Sequence, residues 1–115
     1  MDAKWLERVK GLLEKKMAYG REKANAVDFI PYTVENGEWV PGSGGLAWWT
    51  NGFWGASMWQ MYLMTGDEEY KKAAERCEEM LDEVLIDHEK LHHDVGFMWN
   101  LTAGVNYRLT GNPLS

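Results

Sequence analysis

Residues 52–67, GFWGASMWQMYLMTGD, and residues 96–112, GFMWNLTAGVNYRLTGN, decide the fold. Each opens with Gly-Phe, runs almost wholly apolar, and ends in Tyr-x-x-Thr-Gly followed by Asp67 or Asn112. Tyr62, Thr65 and Gly66 recur 45 residues later as Tyr107, Thr110 and Gly111. A segment apolar on nearly every side reads as a buried helix. Between the two, Tyr70, Ala73, Ala74, Cys77, Met80, Leu81, Val84 and Leu85 face one way. Lys71, Lys72, Glu75, Arg76, Glu79 and Glu83 face the other, which is an amphipathic helix. Gly66 suits a left-handed C-cap and Asp67 the N-cap that follows. The spacing therefore predicts helices over 52–64, 68–86 and 96–109, with inner helices buried and outer ones half solvated. A unit of this period predicts an all-α fold of stacked helical hairpins, part of an α/α toroid.

Upstream, Trp5, Leu6, Val9, Leu12, Leu13 and Met17 fall at helical spacing and predict an amphipathic helix over 2–19. Residues 20–50 carry Pro31, Pro41 and the Gly42-Ser43-Gly44-Gly45 run, and read as a long loop. Long loops in compact domains are often functional, and this one ends in Trp48-Trp49-Thr50-Asn51. Downstream, Asn112 and Pro113 suit an N-cap and the first turn of another outer helix. Stacked hairpins need about three units to bury a core, and this chain has about two. Residues 1–115 therefore read as a single partial α/α-barrel domain, incomplete in this chain. Phe53, Trp54, Met58, Trp59, Phe97, Met98, Trp99 and Leu101 would lack neighbours on one side, so a homo-oligomer is expected.

The net charge of −6 argues against a nucleic-acid partner, which needs a basic stripe. No apolar run approaches the ~18 residues of a membrane span, and Met1-Asp2-Ala3-Lys4-Trp5 starts an amphipathic pattern without an apolar leader. No membrane association and a cytoplasmic location are the expectations. The one cysteine, Cys77, lies on the apolar side of its helix and reads as a small core residue. Seven tryptophans in 115 residues exceed what a core needs. The apolar face of a sugar packs flat on an indole, so a carbohydrate site stands beside a dense aromatic core as an explanation.

Three elements carry a family resemblance: Trp49-Thr50-Asn51-Gly52-Phe53-Trp54, then Tyr62-x-x-Thr65-Gly66-Asp67-x-x-Tyr70, then His93-Asp94-Val95-Gly96-Phe97-Met98. In this order and spacing the chain resembles the N-terminal portion of the unsaturated glucuronyl hydrolases, glycoside hydrolase family 88. The resemblance implies a barrel of six helical hairpins, (α/α)6, and a chain several-fold longer. It also implies removal of a 4,5-unsaturated uronic acid from an oligosaccharide. The family reaction is a hydration: a carboxylic acid protonates C4 of the vinyl ether, water adds at C5, and the hemiketal opens. The resemblance makes Asp94 one of two catalytic-site aspartates and Trp49 a wall of the sugar pocket, with His93 beside it in substrate binding. The aspartate that donates the proton lies in the family beyond the position of Ser115, so this chain alone is expected to be inactive.

The residues support that placement independently. Trp49 and Asp94 are also 45 residues apart, each just before an inner helix. Equivalent helix starts in a toroid converge on one mouth. A carboxylate there is favoured by the helix dipole, which suits it to accept hydrogen bonds from sugar hydroxyls. The plainer reading is that Asp94 caps the helix beginning near Val95. His88 and His92, four apart, with Asp87, Glu89 and Asp94 nearby, raise metal ligation, but the segment reads as a loop and no metal or other cofactor is expected. Asn100-Leu101-Thr102 matches a glycosylation pattern inside a buried helix and reads as chance. The competing readings are a truncated, non-catalytic helical module that self-associates or binds sugar, and a helical solenoid for protein recognition.

Overall fold

The computed structural model describes residues 2–115, and its architecture follows from local rules at each helix end. Helix α1 (Ala3–Asn25) starts where the Asp2 carboxylate accepts the Lys4 N–H at 3.0 Å, an N-cap bond. It runs past the predicted end at residue 19 because the next turn finds partners. Arg21 lies 4.4 Å over the Tyr70 ring and 3.5 Å from the Asp67 carboxylate. Arg76 donates to the Ala24 carbonyl at 2.9 Å and also to the Val27 carbonyl.

The connection placed at 20–50 therefore begins only after Asn25 and is not wholly irregular. Strands β1 (Thr33–Glu35) and β2 (Glu38–Val40) form an antiparallel hairpin, Val34 facing Trp39 across it. Asn36 and Gly37 make its turn with φ of 51° and 81°, the two-residue turn that suits the twist of paired strands. A short 3-10 turn at Gly45–Ala47 then leads to α2 (Asn51–Thr65).

Helices α2 and α3 (Glu68–Asp82) form the central hairpin, joined by Gly66 and Asp67. Gly66 is left-handed at φ 70°, its N–H bonds the Tyr62 carbonyl at 2.7 Å, and Asp67 accepts from the Glu69 N–H at 2.9 Å. After α3, a 3-10 turn covers Glu83–Leu85 and two more lie at His88–Lys90 and His93–Val95. The helix predicted over 96–109 is broken into α4 (Gly96–Trp99) and α5 (Ala103–Thr110). Thr102 departs from helical geometry at φ −114°, ψ −92°, and Arg108 reaches back to the Asn100 carbonyl at 3.2 Å.

The fold is all-α apart from the small hairpin, the architecture of a fragment of a helical barrel. Its core has two parts. One gathers Met58, Trp59, Met61, Tyr70, Ala73 and Ala74 between α2 and α3; the other gathers Ile30, Cys77, Leu81, Val84 and Met98. Cys77 is buried as expected, and burial pushes its thiol up to about 12. The inner helices are less bare than their composition suggests. Met58, Trp59 and Met98 are fully covered by the chain itself, and only Phe53 and Phe97 of the expected set are exposed. No helix among the described residues is long and apolar enough to cross a membrane.

Candidate functional site

Trp49 is held in place from two sides. The Asn51 side chain, buried at the start of α2, donates to the Gly45 and Leu46 carbonyls at 2.9 and 3.0 Å. That bond pair ties the 3-10 turn to the helix and fixes the two tryptophans between them. Trp48 lies over the glycine run: a Cβ on Gly44 would come within 2.7 Å of its ring. The run is therefore a surface for an indole to close on.

The second motif meets the first through backbone. A Cβ on Gly52 would sit 1.9 Å from the Phe97 carbonyl oxygen, so α2 and α4 approach as closely as they do only with glycine there. This contact brings three rings together. Trp49 stands 5.5 Å from both Phe53 and Phe97, and Phe53 stands 5.9 Å from Phe97. Phe97 in turn lines an open depression of about 310 Å³ with His93, Asp94, Gly96, Asn100 and Leu101. Trp49 and Asp94 are thus linked through one shared neighbour, Phe97, while Trp49 itself does not line the depression.

Asp94 is not a helix cap. The cap of its 3-10 turn is His92, whose Nδ1 accepts the Asp94 N–H at 3.2 Å. Helix α4 has no side-chain cap, and at four residues it offers little dipole. The Asp94 carboxylate lies 3.8 Å from His92 Nδ1 and 3.5 Å from His93 Nε2 and is about one-third exposed. His93 is almost free in solvent. His92, His93 and Asp94 bring possible ligand atoms within 4.8 Å of one another, three donors where a structural zinc site uses four. His88, paired with His92 by spacing, sits in a separate exposed turn.

No family model matches the chain, and no solved structure matches it. Curated relatives do match. An unsaturated glucuronyl hydrolase from Bacillus sp. (strain GL1) is 45% identical over 56 residues, covering 48% of this chain and 15% of the relative. Two unsaturated chondroitin disaccharide hydrolases are similar as well. The one from Streptococcus pyogenes serotype M1 is 35% identical over 58% of this chain and 17% of the relative. The one from Streptococcus pneumoniae (strain ATCC BAA-255 / R6) is 32% identical over 56% of this chain and 16% of its own length.

Over about half of its length this chain is similar to unsaturated glucuronyl and chondroitin disaccharide hydrolases. Its match spans 15 to 17% of the length of those relatives. Tertiary contacts add residues that periodicity alone does not mark. Asn51 and His92 position Trp49 and Asp94; Asn51 lies inside the Trp49–Trp54 element and His92 just before His93-Asp94.

Glu78 is a further one, a carboxylate buried on α3. It accepts from the Trp59 indole at 3.0 Å, the Asn106 amide at 2.9 Å and the Ser115 hydroxyl at 3.2 Å. Burial raises its pKa above the ordinary carboxylate value, more than these three bonds lower it. In the sequence Glu78 falls between Cys77 and Glu79 at the border of the apolar stripe, and only tertiary contact reveals it.

Proposed function

We propose that this chain forms one wall of the sugar site of a hydrolase that removes a 4,5-unsaturated uronic acid from an oligosaccharide. The observation that carries the reading is the contact of Trp49 with Phe97, which joins the Trp-Thr-x-Gly-Phe element to the His93-Asp94 element in a chain similar to named hydrolases of this kind. In this reading Trp49 packs against the apolar face of the sugar. Asp94 accepts hydrogen bonds from its hydroxyls, and exposed His93 reaches toward the uronate as a donor.

The reaction is a hydration. A proton bonds to C4 as the double bond opens, water oxygen bonds to C5 and loses a proton to a base, and the hemiketal collapses. The added oxygen becomes a C5 carbonyl as the bond from C5 to the ring oxygen breaks, which leaves C1 as a hemiacetal. That hemiacetal collapses to an aldehyde, and the neighbouring sugar leaves with its hydroxyl restored. The resemblance assigns proton transfer to a second aspartate that has no counterpart in the motifs of this chain, so Asp94 orients substrate here.

The test is binding read apart from turnover. The 115-residue chain is titrated with an unsaturated glucuronyl disaccharide and followed by tryptophan fluorescence. We expect saturable binding that weakens about tenfold or more in Asp94→Asn, since a hydrogen bond to a charged group is worth ~1.5–3 kcal/mol. Trp49→Ala should weaken it similarly. The ultraviolet absorbance of the C4–C5 double bond should stay constant, because loss of a general acid–base costs about 10²–10⁴ in rate. Absence of saturable binding, or binding indifferent to both substitutions, would refute the assignment. Turnover at an enzyme's rate would show that a residue of this chain supplies the proton.

A further inference from the structure

The β-hairpin and the start of α2 enclose another depression, of about 230 Å³, unused by the reading above. Its walls include four aromatic side chains, Tyr32, Trp39, Phe53 and Trp54, and two hydroxyl residues, Thr50 and Ser57. Tyr32 is 49% exposed and Phe53 40%, so aromatic surface stands in water here without cover from the chain.

We infer that this depression binds a neutral pyranose ring, beside the site built on Trp49 and Asp94. For its ligand class the inference rests on the hydrolase reading. Three features of the depression argue for it.

The first is rigidity. The Trp39 indole donates to the Gly20 carbonyl at 2.9 Å and meets Trp54 edge-on, 5.3 Å away at 65°. Both rings close on Gly20 of α1, where a Cβ would lie 3.3 Å from Trp39 and 3.9 Å from Trp54. The platform is therefore set before any ligand arrives, which removes the cost of ordering it on binding.

The second is polar pattern. The Ser57 hydroxyl donates to the Phe53 carbonyl at 2.8 Å, which leaves its oxygen free to accept. The Thr50 hydroxyl oxygen is buried behind the surface and has no partner among the described residues. A ring with one apolar C–H face and hydroxyls at its rim matches such a site: the face on the indoles and tyrosine, the rim on Ser57.

The third is charge. None of the lining residues is acidic or basic. A uronate seated here would lose hydration from its carboxylate without gaining a cation, which is unfavourable. The volume lies below the ~300–1,000 Å³ of pockets for larger ligands and suits a single ring. Phe53 ties the two places together, since it lines this depression and also packs on Trp49 and Phe97.

The test follows the indole N–H resonances of Trp39, Trp54 and Trp49 by NMR, each assigned with a single Trp→Phe variant. The probes are methyl β-glucopyranoside, glucuronate and an unsaturated glucuronyl disaccharide. We expect the glucoside to shift Trp39 and Trp54 saturably with a Kd on the order of 1 mM. Tyr32→Ala, at an exposed position, should weaken this about fivefold or more, and Ser57→Ala about threefold. Glucuronate should bind there about tenfold more weakly than the glucoside.

Silence of Trp39 and Trp54 toward the glucoside would overturn the inference. So would glucuronate shifting them equally well, or shifts that follow protein concentration with no sugar present, which would mean a second copy fills the depression. Shifts at Trp39 and Trp54 with Trp49 silent toward the disaccharide would leave this site standing and refute the hydrolase reading. The opposite pattern would do the reverse.

Discussion

Glu78 shows how much a single side chain can hold together in a fold of this size. Its two oxygens receive Trp59 of α2, Asn106 of α5 and Ser115, so one buried carboxylate joins the outer helix to both inner ones. Asn106 is itself fully buried, and Thr110 donates to its side-chain oxygen at 2.7 Å. Desolvation is the largest influence on Glu78, and the neighbouring Glu75 carboxylate pushes in the same direction. The folded pKa therefore lies above the ordinary value of 4.5. Below 4.5 the group is protonated in both states and contributes no pH dependence. As pH rises from there through the folded pKa, the unfolded chain releases its proton first and the fold loses stability. Glu78→Gln cannot titrate. Melting temperatures measured side by side should therefore shift in favour of Glu78→Gln as pH rises through that window. A difference that stays flat, or moves the other way, would mean that the hydrogen bonds outweigh burial and hold the carboxyl charged.

At the scale of elements, the repeat is carried by its caps. Gly66 and Gly111 adopt φ of 70° and 71°, and each N–H bonds back to a tyrosine carbonyl, Tyr62 or Tyr107. Thr65 and Thr110 hydroxyls each accept the N–H two residues on at 3.1 Å. Asp67 and Asn112 each accept another N–H two residues further on, at 2.9 and 3.1 Å. An alanine forced into the left-handed region costs about 1–2 kcal/mol. Gly66→Ala should therefore lower the melting temperature by roughly 3–8 °C. Gly111→Ala should cost less, because fewer contacts follow it and the chain there can relax. An equal or reversed order would show that the two caps do not differ in what they anchor. Such caps are legible in the sequence because they depend on residues next to one another. So is the hairpin turn, in Asn36-Gly37, although the prolines and glycines around it read as loop. The break before α5 is not legible. It arises where Thr102 packs onto Gly55, whose Cβ would lie 2.7 Å from the threonine methyl, and that neighbour is far away in sequence. Trp49 and Asp94 stand out in the sequence by their spacing and by the resemblance. The ring that joins them, Phe97, and the groups that orient them, Asn51 and His92, needed the tertiary structure.

The whole molecule is elongated, 49 × 38 × 26 Å, with a radius of gyration of 14.7 Å, above the ~13 Å typical of 100 residues. The cause is α1. Its last turns dock on α3 through Arg21 and Ala24, but its first half projects from the body. Trp5, Leu6, Leu12 and Leu13 are 41 to 59% exposed there, along one stripe. Much of the apolar surface left open is thus on α1, which composition alone would not single out, while Phe53, Leu63, Phe97, Tyr107 and Leu109 are exposed on the inner helices. Full burial of such a side chain is worth about 1.5–3 kcal/mol, so covering the exposed half of four of them gains roughly 3–6 kcal/mol per helix. Two copies pairing α1 with α1 across a two-fold axis would gain about twice that. Association costs ~4–15 kcal/mol in lost freedom, so the pairing should be weak and depend on concentration. Light scattering should show the mean mass rising from monomer toward dimer between about 1 µM and 1 mM. Leu6→Glu with Leu13→Glu, which places two charges in the stripe, should keep the chain monomeric throughout without changing its helical content. A wild-type chain that stays monomeric to 1 mM would rule out pairing through α1. A double variant that still associates would move the contact to Phe53 and Phe97, next to the candidate sugar site, where added disaccharide should then compete with it.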